Sequence, residues 1–281
     1  MSDTEMSEDE VPEDETAPPS APSATPTAAD LLRTAADPDL TEDLSLALLK
    51  RADLPPEVLE QLAKNARALK SRKVKIALAS HPHTPRHVSV PLARQFYTFD
   101  LMKVALSPSV PADVKVAVDN VLISRLKAVT VGERLTLARR ASGRVAAALL
   151  LDVDTRDGKI GAGRIKDGKI IAAKINHAEA VARQTRVMQT ALENPRLTEA
   201  LVIKSVLRPA ASAALVHAVA RHAKWSPRRE VRAALLRTAH LSLARALEFS
   251  REIPASRLQE LLASSHLPAK IKDQLLREKF M

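Results

Sequence analysis

The chain has 281 residues, with 43 Lys and Arg against 33 Asp and Glu, 46% apolar residues, 2% aromatic residues and no cysteine. This length suffices for one or two domains with a large core. Because so few of the apolar residues are aromatic, the composition favours closely packed helices over sandwiches or barrels. The lack of cysteine excludes disulfides, thiolate zinc sites, iron–sulfur ligation and a cysteine nucleophile. No apolar run reaches the roughly 18 residues of a membrane span, and the acidic N-terminus is unlike a secretory signal, so we expect a cytoplasmic protein.

The charge is divided unevenly along the chain. Residues 1–30 carry nine acidic side chains, five prolines and no Lys or Arg. Such a stretch buries too little apolar surface to offset its ordering entropy, so we predict a disordered acidic tail. The remainder, residues 31–281, then has 43 basic and 24 acidic residues, a formal charge of +19. The tail either adds solubility or competes with a polyanionic ligand for this basic body.

Within residues 31–281, apolar residues recur at helical spacing in short blocks, the first at residues 44–49 and 59–69. This spacing predicts helices of two to four turns. Several breaks between the blocks place a small or polar residue before a proline, which marks a helix start. Such prolines are Pro85, Pro195 and Pro227. Capping boxes are predicted at residues 130–133 (Thr-x-x-Glu) and 256–259 (Ser-x-x-Gln).

The breaks also expose an internal repeat. Residues Ala77–Pro85 read ALASHPHTP and parallel VALSPSVP at Val104–Pro111, which places Pro82 and Pro108 26 residues apart. The segment at Thr190–Val202, TALENPRLTEALV, repeats the pattern with Thr-Glu in place of the second proline. A helical period in the twenties is typical of a solenoid, in which each unit buries its apolar side by stacking on its neighbours.

The unit A-x-x-P-x-T-P-x-x-x-x-x-x-L-A at Ala79–Ala93 resembles the leucine-rich repeat variant family and, more loosely, HEAT-like helical repeats. The resemblance is clearest over residues 72–125 and 188–207. It implies an all-α, right-handed α-solenoid of short helix-turn-helix repeats, with an arc-shaped surface that binds or scaffolds a partner and no catalytic residues. Pro91 fits the broken short helices of this family better than the long helices of HEAT repeats.

One segment departs from the repeat. Asp157–Lys166 reads DGKIGAGRIK and is followed directly by DGKIIAAKIN at Asp167–Asn176. Tandem Asp-Gly with alternating Lys and Ile is a hairpin signal. We therefore predict a small hairpin-like insertion at residues 157–176, projecting from an edge of the solenoid. It is either a basic loop that contacts a partner or an insertion that the surface tolerates.

Motifs that would indicate chemistry are weak. His81, His83 and His87 are close enough in sequence to suggest zinc or copper, but no cysteine or nearby carboxylate accompanies them. We interpret them as exposed turn residues of a repeat. Residues 161–163 read Gly-Ala-Gly without the strand, third glycine and helix of a dinucleotide-binding loop. We predict no enzyme activity, no metal, no cofactor and no small-molecule substrate.

Basic residues cluster in three stretches and in the insertion, where they form either contacts to an anionic partner or a solvated face. Tyr97, Trp225 and the four Phe are too few for a base-stacking platform and are expected in the core. The candidate contacts with an anionic partner are Lys64, Arg67, Lys70, Arg72, Lys73, Lys75, Arg139, Arg140, Arg144, Lys166, Lys169, Arg221, Lys224, Arg228, Arg229 and Arg232.

Two functions remain open from the sequence. The preferred one is a non-enzymatic binding or scaffold protein that presents an arc-shaped surface to a protein partner. The alternative is sequence-tolerant binding of a duplex phosphate backbone, modulated by the acidic tail. The position of the basic stretches distinguishes them: convergence on one concave face favours nucleic acid, and scatter over the convex helices favours a protein partner.

Overall fold

The computed structural model describes residues 27–151 and 169–280, with the side chains of 169–178 and 280 excepted. These residues form sixteen α-helices and two 3-10 turns, and no strand occurs among them. The prediction of an all-α fold is therefore confirmed for this part of the chain. The helices are α1 Ala28–Ala36, α2 Glu42–Leu49, α3 Pro56–Lys64, α4 Arg72–Ser80, α5 Arg86–Ala93, α6 Thr98–Leu106, α7 Ala112–Arg125, α8 Val131–Arg140, α9 Gly143–Leu151, α10 Lys169–Leu192, α11 Glu199–Val206, α12 Ala213–Arg221, α13 Arg229–Leu236, α14 Leu243–Arg251, α15 Ala255–Ala263 and α16 Ala269–Phe280, and the 3-10 turns are Ala68–Lys70 and Leu126–Ala128.

Side chains in the turns specify where helices begin. Thr130 and Glu133 form the predicted capping box at the start of α8. Thr27 forms a second box with Asp30, so α1 already begins within the last residues of the stretch that we assigned to the tail. Residues 1–26 of that stretch lie outside the described part. The capping box expected at 256–259 is wrong, because Ser256 lies inside α15.

Prolines mark helix starts by preceding the helix. Pro85 is the residue immediately before α5, with φ −60° and ψ 145°, and Pro111 and Pro254 hold the same position before α7 and α15. The fixed φ of proline suits this extended residue, and its missing N–H costs nothing there. Pro195 and Pro227 lie slightly earlier, in the turns that lead to α11 and α13.

The helices pack in two alternating sets. The helices α5, α7, α9, α11, α13 and α15, which we call the odd layer, pack in succession, each on the next. Even-numbered helices pack in the same way in the runs α2–α4–α6, α8–α10–α12 and α14–α16. Buried Leu, Val and Ala side chains from both sets form the core. Each helix therefore buries its apolar side on the helix two positions along, as expected of helical repeats.

Polar side chains at the turns bind the turn one repeat earlier. Asn65 follows α3, and its Nδ2 donates to the carbonyls of Ala35 at 3.1 Å and Asp37 at 2.7 Å. Its Oδ1 accepts the backbone N–H of Arg67 at 3.1 Å. One amide group thus satisfies backbone groups of two adjacent repeats that would otherwise be buried without partners.

Two other side chains repeat this arrangement. His81 Nε2 lies 2.8 Å from the carbonyl of Arg51, and its Nδ1 accepts the N–H of His83 at 3.2 Å. Ser265 donates to the carbonyl of Leu236 at 2.6 Å and accepts the N–H two residues on. The bonds that His81, Ser265 and Asn65 make to backbone carbonyls join residues 28 to 30 positions apart. The repeat is therefore slightly longer than the 26 residues read from the proline spacing.

Asn194 makes the same kind of joint over a longer stretch of chain. Asn194 Nδ2 donates to the carbonyls of Ala138 at 2.7 Å and Ala141 at 3.2 Å, which lie 56 and 53 residues earlier. The same joint that closes one repeat elsewhere therefore closes a span almost twice as long. The predicted hairpin is wrong for residues 169–176, which form the start of the 24-residue helix α10. Residues 157–168 of the prediction lie outside the described residues.

Aromatic residues divide between core and surface. Trp225 is 1% exposed, and Phe96 and Phe249 are also buried. Tyr97, however, is 70% exposed, and Phe99 is partly exposed on α6, so the expectation that Tyr97 belongs to the core is wrong. The Tyr97 ring packs under the Arg72 guanidinium, 5.0 Å from the ring centre. No described helix combines the length and apolarity that crossing a bilayer requires.

Candidate binding groove

The first basic stretch is largely paired with partners from other repeats. Arg72 donates to both carboxylate oxygens of Asp100, at 2.7 and 2.9 Å, and this carboxylate is buried. Arg67 contacts Asp39 at 2.6 Å, 28 residues away. The other two pairs are Lys73 with Glu42 at 3.1 Å and Lys75 with Gln95 at 3.4 Å. Most basic side chains of the first stretch therefore bind polar or acidic side chains of other repeats, although no acidic residue lies within the stretch itself.

The third stretch is also used internally. Arg228 forms an ion pair with Glu199 at 2.6 Å and lies over the Trp225 ring, as does Lys224. Arg232 is half-buried, contacts Glu252 at 2.5 Å and donates to the carbonyl of Ser226. This ion pair lowers the pKa of the Glu252 carboxyl. These cations cover aromatic side chains and join helices, so they are not a free phosphate-binding surface.

The remaining candidates are scattered. Six are exposed and form no ion pair with any residue that the structure describes: Lys64, Lys70, Arg139, Arg140, Arg221 and Arg229. They belong to several helices of both sets and line none of the three cavities described next. Lys169 is the first residue of α10, but the structure does not describe its side chain, and Lys166 lies outside the described residues. Of the predicted set, Arg144 alone lines one of these cavities.

Three adjoining cavities run along the odd layer. The first, of about 900 Å³, lies between α5 and α7, and the second, of about 270 Å³, lies among α7, α9 and α11. Asn120 lines both. The third, of about 340 Å³, lies beside the end of α11 and shares Arg208 with the second. Because neighbouring cavities share a lining residue, we call the surface that they form together the odd-layer groove.

The odd-layer groove is cationic. Asp113 is the one acidic residue among the side chains that line the three cavities. The basic residues that line them are Arg86, Arg94, Arg125, Arg144, Lys204, Arg208 and Arg237. Adjacent cations without matching acids raise the local concentration of anions. The groove is therefore suited to an anionic ligand.

Some of these cations have structural partners and some do not. Arg125 donates to the carbonyls of Phe96, at 2.6 Å, and of Arg94. Arg86 contacts Asp113 at 3.5 Å. Four groove cations are exposed and have no side-chain hydrogen bond or ion pair with a described residue: Arg94, Lys204, Arg208 and Arg237. These four are available to a ligand.

Apolar side chains alternate with the cations. Val90, Val116 and Val121 line the first cavity, Ile123 and Leu201 the second, and Leu207 the third. Val116 and Leu207 are among the few large apolar side chains exposed on the described surface. The groove therefore offers hydrophobic contacts together with positive charge.

A buried carboxylate lies behind the second cavity. Asp119 of α7 is 3% exposed, and its Oδ2 lies 3.9 Å from Nε of Arg144, whose Nη2 donates to Asn120 at 3.1 Å. Oδ1 of Asp119 has no hydrogen-bond partner within the described part of the chain. Burial raises the pKa of this carboxyl, against a hydrogen bond with Ser142 and the charge of Arg144.

The histidines predicted to be turn residues join repeats. His81 is buried, so its predicted exposure is wrong, while His83 is exposed with Nδ1 3.0 Å from the carbonyl of Leu54. His87 lies 3.2 Å from Glu60. Over the described residues, no cluster of three or more His, Asp or Glu is arranged to hold a metal ion.

Local runs in the sequence do not reveal the groove, because Arg94, Arg125, Lys204 and Arg208 each stand apart from such runs. The signal that finds them is their position relative to the repeat, on the odd-numbered helices or just after them.

Comparisons with protein-family models, curated proteins and solved structures find no match to the chain.

Proposed function

We propose that the chain is a non-enzymatic, right-handed α-solenoid that binds an extended acidic and partly apolar segment of another protein along the odd-layer groove. The observation that carries this proposal is a row of three adjoining cavities lined by seven cations and one acid. The 28-to-30-residue spacing of the joints supports the solenoid. Its right hand is proposed from the resemblance to leucine-rich repeat variants alone.

The groove favours a protein segment over a nucleic acid. Protein–DNA interfaces are more polar and much more positively charged than protein–protein interfaces. Here valine, isoleucine and leucine alternate with the cations. No Phe, Tyr or Trp lines the three cavities: Trp225, Phe96 and Phe249 are buried, and the exposed Tyr97 and Phe99 lie outside the groove, so the groove offers no ring on which a base could stack. An acidic segment with apolar side chains matches both components of the groove.

The test is fluorescence anisotropy with a labelled peptide of alternating Glu and Leu, compared with a labelled 20-base-pair duplex. The groove variant is Arg94→Gln, Lys204→Gln and Arg208→Gln. The control is Lys64→Gln, Lys70→Gln and Arg139→Gln, which removes the same charge from exposed, unpaired cations outside the groove. Each lost contact is worth about 0.2–1 kcal/mol, so we expect roughly tenfold weaker peptide binding for the groove variant and about twofold for the control.

Two outcomes would reject the proposal. Equal losses in the two variants would show attraction to net charge without a binding site. Tighter binding of the duplex than of the peptide, with a steep salt dependence and strengthening on deletion of residues 1–26, would support the nucleic-acid function instead.

A further inference from the structure

The second cavity of the groove differs from the other two in its charge. It measures about 270 Å³, and it is the one of the three that combines three Lys or Arg side chains with no acidic residue. Arg144, Lys204 and Arg208 reach it from two helices and the turn after α11. This volume accommodates one side chain of a bound segment, whereas pockets for drug-sized ligands start at about 300 Å³.

The positive charge that lines this cavity exceeds the single negative charge of a ligand carboxylate. The three cations contribute three positive charges, and the one carboxylate that pairs with any of them among the described residues is Asp119, 3.9 Å from Arg144. Two positive charges remain with Asp119 ionised, and three with it protonated. Lys204 and Arg208 form no ion pair or hydrogen bond with the side chains that the structure describes.

Arg144 is held in place before any ligand arrives. Its Nη2 donates to Asn120, which also lines the cavity, at 3.1 Å, and its Nε faces the buried Asp119. A guanidinium fixed by such neighbours loses less side-chain entropy when an oxyanion binds. Lys204 lies in the last turn of α11 and Arg208 two residues after the end of that helix, and both side chains line the cavity.

We infer that this cavity recognises the phosphoryl group of a phosphorylated serine or threonine in the bound protein segment. The inference rests on the proposed function and specifies its ligand. A phosphate monoester carries about −1.5 to −2 charges at neutral pH and three acceptor oxygens, which match the two to three positive charges that line this cavity. A carboxylate or a nucleic-acid phosphodiester carries one negative charge and leaves the cavity with excess positive charge. Ile123 and Leu201 provide an apolar wall for the rest of the side chain.

The test uses three labelled peptides of alternating Glu and Leu that differ at one central residue: phosphoserine, glutamate or serine. We expect the wild-type protein to bind the phosphoserine peptide at least about tenfold more tightly than the glutamate peptide. Phenyl phosphate should displace the phosphoserine peptide at concentrations at which benzoate does not, because benzoate carries one negative charge.

Two variants with the same change in charge separate the cavity from the rest of the groove. Lys204→Gln with Arg208→Gln should bring the ratio of affinities for the phosphoserine and glutamate peptides close to one. Arg94→Gln with Arg237→Gln should weaken both peptides and preserve the ratio. All four side chains are exposed and unpaired among the described residues, so the variants are expected to keep the wild-type circular dichroism spectrum and Tm.

The outcomes distinguish the two proposals. Equal wild-type affinities for the phosphoserine and glutamate peptides would overturn the phosphoryl site and leave the groove proposal standing. Equal displacement by benzoate and phenyl phosphate would also overturn the site. Failure of all three peptides to bind would reject the proposed function itself, and with it the ligand inferred here.

Discussion

Asn194 is expected to be one of the most costly polar side chains to remove. It is 1% exposed, and its amide makes three hydrogen bonds: to the carbonyls of Ala138 and Ala141 and from the N–H of Arg196 at 2.8 Å. At about 1 kcal/mol for each bond, with buried backbone groups left unsatisfied, Asn194→Ala should lower the free energy of unfolding by about 3 kcal/mol. That is a large share of the total stability of a typical domain.

The measurement is urea denaturation, followed by far-UV circular dichroism and by the fluorescence of Trp225, the one tryptophan of the chain. Its indole N–H donates to the carbonyl of Leu192 at 2.8 Å, two residues before Asn194, so its emission reports on this joint. The control is Gln189→Ala, which removes an exposed side chain from α10, the helix that ends two residues before Asn194, and should change stability by about 0.5 kcal/mol or less. If Asn194→Ala is no more destabilising than Gln189→Ala, the joint does not hold the repeats together.

Three further predictions concern single side chains. Gly143→Ala should destabilise by about 3 kcal/mol or more in thermal melts, because its Cβ would lie 2.2 Å from the carbonyl of Arg196, whereas Gly132→Ala, with nothing within 4 Å, should stabilise by about 0.5–1 kcal/mol; equal effects would refute this. Because burial raises the pKa of Asp119 in the folded protein, wild type should lose stability relative to Asp119→Asn as the pH rises above the ordinary pKa of 3.8, and the two should not diverge below that pH. A difference in the free energy of unfolding that does not depend on pH would contradict the raised pKa. Arg72→Ala, which leaves the buried Asp100 carboxylate without its partner, should destabilise the protein clearly more in urea denaturation than Arg67→Ala, which breaks an exposed pair worth at most about 1 kcal/mol; similar losses would show that burial of the carboxylate is unimportant.

Local sequence features predicted the local structure well. The aliphatic composition and the period of the apolar residues led to an all-α fold, and Thr130 with Glu133 located a helix start, because these signals act within a few residues. The hairpin prediction failed from Lys169 onward. The prediction gave two Asp-Gly pairs more weight than the Ala-rich, helix-favouring residues that follow them. A turn signal, however, acts over only a few positions.

Partners one repeat away could not be predicted from runs of charge. The first basic stretch has no acid inside it, yet Arg72 is bound by Asp100, 28 residues on. The groove was missed for the converse reason. Arg94, Lys204 and Arg208 are isolated in the sequence, and stacking of the odd-numbered helices brings them onto one surface. Both errors come from treating distance along the chain as distance in space.

The joints between repeats impose little on the sequences that they join. Asn65, Asn194 and Ser265 donate to main-chain carbonyls, which every residue carries whatever its side chain. Most side chains of a neighbouring repeat can therefore be substituted, and its backbone can still be hydrogen-bonded in the same register. Such a joint allows repeats to diverge until they are hard to recognise by sequence, and it allows extra chain to be accommodated between Ala141 and Asn194 without separating the two ends of the stack.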